Sequence, residues 1–250
     1  MRNHLSYRSG NPALNSNTFN DSRYNTTLSD TERMTLDGTV NKTAISVLLL
    51  IISAYYTYLN QSTAWVMIGG IGGFITALIT VFKKEWSPYT VPVYAILEGL
   101  ALGGISFVFN SMYDGIVSQA IQLTIGIFCA LLFAYKTKII SPTENFKLGI
   151  FAATGGIGIV YFISFIMSFF GSGMSILSFN NSSMMSIGFS IFVVIIAALN
   201  LVLDFDFIEE GAEKGAPKYM EWYATFGLLV TLIWLYLEIL RLLAKLSNRR

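Results

Sequence analysis

From residue 44 onward the chain is divided into seven apolar runs, 44–60, 64–82, 90–109, 116–135, 148–170, 185–207 and 224–246, separated by short polar breaks. Each is 17 to 23 residues long, the length a helix needs to cross about 30 Å of hydrocarbon. Open strands would leave backbone groups unpaired in lipid, and the short alternating segments of a barrel are absent, so the expected fold class is all-α: a polytopic bundle of seven transmembrane helices. Composition agrees, with 54% apolar and only 12% charged residues, against roughly 25% charged in ordinary soluble domains.

Charge and rare residues exclude several functions. Sixteen basic and fifteen acidic residues leave a formal charge of +1, so no basic field gathers nucleic acid. A single Cys (Cys129) and a single His (His4) cannot build an internal disulfide or the usual imidazole and thiolate metal sites. The only His also lies far from every span, which removes serine intramembrane proteolysis. Neither His-Glu-x-x-His nor a Gly-x-Gly-Asp aspartyl pattern occurs, and the chain is not expected to be an enzyme. A retinal Schiff base needs a lysine deep in a span, whereas Lys245 sits at the end of the last one.

The segment 1–43 has no apolar run and mixes Arg2, Arg8, Arg23, Arg33 and Lys42 with Asp21, Asp30, Glu32 and Asp37; a disordered cytoplasmic tail is expected, followed by the membrane domain 44–250. It lacks the apolar core and cleavage site of a secretory signal, so the first span is expected to remain as an anchor. Orientation follows the basic residues. The connections 61–63, 110–115 and 171–184 hold no Lys or Arg, while Lys83, Lys84, Lys136, Lys138, Lys147, Lys214 and Lys218 occupy the alternate ones. The N-terminus is therefore expected in the cytoplasm, with Arg249 and Arg250 on the far side if the last segment crosses fully.

Glycines recur inside spans, as Gly69-Gly70-Ile71-Gly72-Gly73, as Gly99 with Gly103 and Gly104, and as Gly155-Gly156-Ile157-Gly158. Close helix packing is expected at all three. Tyr58, Trp86, Tyr89, Trp222 and Tyr223 fit an interfacial aromatic belt, and Cys129 a small apolar filler.

An ionisable group inside an apolar span costs roughly 2.5–3.5 kcal/mol and so asks for a partner or a role. Glu98, Asp204, Asp206, Glu238 and Arg241 qualify. Asp204 follows Asn200 by four residues and shares its helical face, whereas Asp206 is turned away and begins the acidic run to Glu213. Glu238 and Arg241, three apart, can pair within one helix. Two carboxyl groups close together in a low dielectric would share a proton and, when ionised, offer hard oxygen ligands to Ca²⁺.

The run from Leu201 to Gly215, with Asp204 in Leu-Val-Leu-Asp and the acidic stretch after it, together with Trp234-Leu-Tyr-Leu-Glu238-Ile-Leu, resembles the end of the Bax inhibitor-1 family, which includes the bacterial YccA-like proteins. The run Glu98-Gly-Leu-Ala-Leu-Gly103 resembles its third span. The resemblance implies a last helix surrounded by the other six, and a pH-sensitive Ca²⁺ leak gated through two acids, here Asp204 and Glu238. Glu98, Asp206, Arg241 and Asn200 are secondary candidates. It departs from the family where Glu replaces the usual Asp at 238, where 34 positions separate the acids, and where 64–82 lacks a basic latch. The expected partners are the lipid bilayer, Ca²⁺ as permeant ion, and protons; no tightly bound cofactor is expected. The alternative is a non-transporting membrane interaction protein that regulates a membrane-bound protease or another partner. The YccA-like resemblance points to the bacterial cytoplasmic membrane.

Overall fold

The structure, a computed structural model, describes residues 32–61, 63–171 and 173–249. The tail expected to be disordered lies outside the described residues up to position 31. Seven helices follow: α1 (Leu36–Leu59), α2 (Ala64–Phe82), α3 (Ser87–Met112), α4 (Ile116–Lys136), α5 (Glu144–Phe169), α6 (Met184–Glu213) and α7 (Met220–Ser247). All seven are long and apolar enough to cross a membrane. At 1.5 Å per residue the unbroken α7 extends about 42 Å, more than the hydrocarbon thickness.

Hydropathy marks the lipid-buried stretch of each helix and misses its polar ends. α1 starts at Leu36, eight residues before the expected span at 44, because Thr35 caps it by accepting from the Gly38 amide at 3.0 Å. The eight residues Leu36–Thr43, assigned above to the tail, are thus helical. At the other end of the chain, α6 runs through the acidic stretch to Glu213. Thr143 caps α5 in the same way as Thr35, taking a hydrogen bond from the Phe146 amide.

The chain forms two compact units. The first comprises Tyr113–Leu203 and Thr231–Arg250, and the second comprises Asp204–Val230 with the described part of Ala13–Met112. α6 therefore passes from the first to the second after Leu203, and α7 from the second to the first after Val230.

In the second unit, α3 packs against both α1 and α2. These helices are inside-out relative to soluble ones. α1 turns Thr39, Ser46, Ser53 and Thr57 inward and leaves Leu48, Ile52, Tyr55 and Leu59 exposed. α2 turns Gly69, Gly73, Thr76 and Thr80 inward and leaves Ile68, Ile71 and Phe74 exposed. Small inward residues permit close approach, while the apolar faces suit lipid. Gly69 lies on the Leu97 carbonyl and Ala101 backbone, Gly99 on Ser53 and Leu50, and Gly103 on Ala54.

In the first unit Ile157, Val193 and Ile196 form a core joined by Ala153, Tyr161, Phe189 and Trp234. Here one glycine expectation fails. Gly155, Gly156 and Gly158 have open space where a Cβ would stand, because α5 turns Ile157 inward and its glycines outward. Cys129, on α4, is exposed. Of the expected belt, Trp86 and Tyr89 are exposed, but Tyr223 is buried, with its ring 6.3 Å from that of Phe226.

Candidate functional site

The structure places Glu238 inside the first unit, 2% exposed. One helical turn on, Arg241 donates from Nη1 to both of its oxygens, at 2.9 and 3.0 Å. Tyr161 on α5 donates its hydroxyl to Glu238 Oε1 at 2.6 Å and accepts from Arg241 Nη1 at 2.8 Å. The guanidinium also stands over the Tyr161 ring, 5.4 Å from its centre, a geometry that adds cation–π attraction. The local pair expected from the spacing is formed, with a tyrosine from another helix completing a triangle of hydrogen bonds.

The remaining candidates lie on α3 and α6. Asn200, 2% exposed, donates from Nδ2 to Thr154 Oγ1 and to the Ile196 carbonyl, both at 2.8 Å, which ties α6 to α5. Asp204, one turn further along α6, is fully buried in the second unit. Asp206 is half-buried. Glu98, half-buried on α3, packs against Gly73 so closely that a Cβ there would stand 2.8 Å from Oε1.

Three residues that sequence reasoning did not select hold much of the polar structure. Tyr161 has no signal within its apolar run, where an aromatic is ordinary. Lys245, read above only as a span-end lysine, is fully buried and donates to the Ile176 carbonyl (2.8 Å), the Ser186 carbonyl (3.2 Å) and Ser190 Oγ (2.8 Å). Glu221, placed by hydropathy in a loop, is fully buried at the start of α7.

Glu221 organises one end of the second unit. Its Oε1 accepts from the Thr35 amide and hydroxyl, both at 2.9 Å, and pairs with Lys218 at 2.8 Å, while Oε2 pairs with Lys42. Gly38 lies against the carboxylate, where any Cβ would collide with it. A short antiparallel bridge between Arg33 and Pro217 extends the contact, with the Met34 amide donating to the Ala216 carbonyl and the Lys218 amide to that of Glu32. Thr43 and Thr225 continue it at 3.1 Å. These polar contacts strap residues 32–43 along the first two turns of α7.

Seven helices of membrane-spanning length and apolarity, with acids buried on the last two, define a polytopic helical membrane protein. The chain matches the family described as Bax inhibitor 1 like over residues 11–248, and it belongs to that family. Comparison with curated proteins gave no significant match.

Proposed function

We propose that this protein is a pH-sensitive, Ca²⁺-permeable leak channel of the Bax inhibitor-1 type, with Asp204 and Glu238 as the acids on which gating depends. The observation that carries the reading is the burial of both carboxylates, 0% and 2% exposed, on membrane-spanning helices, where each costs several kcal/mol unless compensated. Ionised, Glu238 holds Arg241 and Tyr161. Protonation weakens that hold and frees α5 and α7 to rearrange. A divalent cation competes with the guanidinium for the same oxygens. Among the described residues no three His, Cys, Asp or Glu side chains cluster, so a passing Ca²⁺ would meet few carboxylates at a time, with carbonyls, hydroxyls and water completing its shell. That suits transient contact better than tight storage.

The YccA-like resemblance and the distribution of Lys and Arg support a bacterial cytoplasmic membrane with the N-terminus in the cytoplasm. The test is Ca²⁺ entry into dye-loaded proteoliposomes between about pH 6 and pH 8, for the parent, Asp204→Asn, Glu238→Gln and the double variant. Flux that depends on pH and responds non-additively to the two substitutions supports one gate. Absence of flux, or identical behaviour of all four proteins, overturns the reading.

One observation favours a second reading. Arg241 neutralises Glu238 within a single helix, so the acid has a structural counter-ion and needs no permeant cation. A non-transporting membrane protein that regulates a membrane-bound protease would have that property. Acid substitutions that leave binding to such a protease intact would support it.

A further inference from the structure

We propose that the segment 173–183, between α5 and α6, is a lid pinned by Lys245 and Asn248, and that its release opens the route along α7 to Glu238. Glu238, Arg241 and Lys245 are spaced by three and four residues and so share one stripe of α7, which Asn248, in the turn just past its end, extends by three more. Along this stripe Glu238 and Arg241 are tied to Tyr161, Lys245 to the start of α6, and the last two residues to the segment itself.

The pin is chemically specific. An ammonium group has three protons to place, and Lys245 gives them to Ile176 of the segment and to Ser186 and Ser190 of α6. All three acceptors are uncharged, so the ammonium is solvated by protein dipoles in place of water. The Ile176 carbonyl also accepts from Ser186 Oγ at 2.9 Å. Asn248 adds a second tie, donating to the Phe179 carbonyl at 3.0 Å while accepting from the Tyr113 hydroxyl at 2.8 Å.

Beyond these ties the Met174 amide donates to Ser164 Oγ on α5 at 3.2 Å, and Asn181 Nδ2 braces the segment internally on the Ser175 carbonyl and hydroxyl at 3.1 and 2.9 Å. The segment contains one 3-10 turn, Ser175–Leu177, and borders an open cavity of about 400 Å³ lined by Ser164, Gly173, Met174, Ser175, Leu177 and Ser178. Water is the natural replacement for the Ile176 carbonyl at the ammonium, so lifting the segment and wetting the stripe are one event. In the pinned state Lys245, whose acceptors are all uncharged, presents a positive charge on the way to Glu238 and opposes cation entry. What passes once the segment lifts rests on the leak reading; the lid itself does not.

The experiment separates the two. In full-length Cys129→Ser protein in nanodiscs, Ser178→Cys is labelled with a membrane-impermeant maleimide, with Lys245 intact or changed to Met, and Ca²⁺ entry is measured on the same proteins in liposomes. Removing the pin is expected to speed labelling by about tenfold or more and to raise Ca²⁺ entry. Equal labelling rates overturn the lid. Faster labelling with no flux from either protein upholds the lid and overturns the leak reading. Should Lys245→Met fail to assemble, Asn248→Ala removes the exposed tie while keeping the ammonium, and the same outcomes apply.

Discussion

The hydroxyl of Tyr161 donates to the carboxylate of Glu238 across 2.6 Å, from one membrane-spanning helix to another. Removing it by Tyr161→Phe keeps the ring under the Arg241 guanidinium and deletes only the hydrogen bonds. A hydrogen bond to a charged group contributes about 1.5–3 kcal/mol. The variant is expected to fold and to melt about 5 °C lower in detergent. An unchanged melting temperature would show that Arg241 alone satisfies Glu238.

Arg241→Met makes a larger change, since it leaves a buried carboxylate without its counter-ion. Breaking one side of such a pair costs about 3–5 kcal/mol, whereas replacing both partners by apolar groups is often close to neutral. Glu238→Leu with Arg241→Met should therefore be more stable than Arg241→Met alone. Denaturant unfolding of the four proteins of this cycle measures the coupling. If the double variant is the least stable, the pair does not act as a unit.

How much of this was readable beforehand differs by level. Helix number follows from hydropathy because the bilayer imposes a length on every apolar run. α2 matches its expected span of 64–82, since its ends coincide with the ends of its apolar run. α1 does not, because Leu36–Thr43 is stabilised by the Glu221 carboxylate, a partner that lies about 180 positions away in the chain. The Glu238–Arg241 pair was readable because a spacing of three is a local rule. Tyr161 was not, because its partner depends on which face of α5 meets α7. Glycine runs show the same division. Spacing identifies a small face, but only the neighbouring helix decides whether that face is used.

That division makes the glycines a controlled comparison. A methyl at Gly103 would overlap the Ala54 backbone, whereas Gly156 has open space. Gly103→Ala forces α1 and α3 apart and is expected to cost about 1–3 kcal/mol. Gly156→Ala adds helix propensity without a clash and is expected to be neutral or stabilising by up to about 1 kcal/mol. Thermal melting of the two variants side by side checks this. Equal destabilisation would mean that α5 packs through its glycines after all.

The strap at Glu221 yields the prediction with the most local readout. Glu221→Gln keeps the shape of the side chain but removes the charge that Lys42 and Lys218 share, and its amide presents donors where the carboxylate only accepts. Both lysines retain access to water, 18% and 47% exposed, so the cost falls below that of a deeply buried broken pair, at about 1–3 kcal/mol. Its effect is expected at residues 32–43, since the contacts that hold them converge on this carboxylate. Hydrogen exchange should quicken at the Thr35 and Met34 amides, which donate to Glu221 and Ala216, while amides in the centre of α3 keep their protection. Lys42→Met, which removes one of the two cations, should give a smaller change in the same amides. If exchange rises equally throughout α1, α3 and α7, Glu221 supports the whole second unit and the strap is not an independent element.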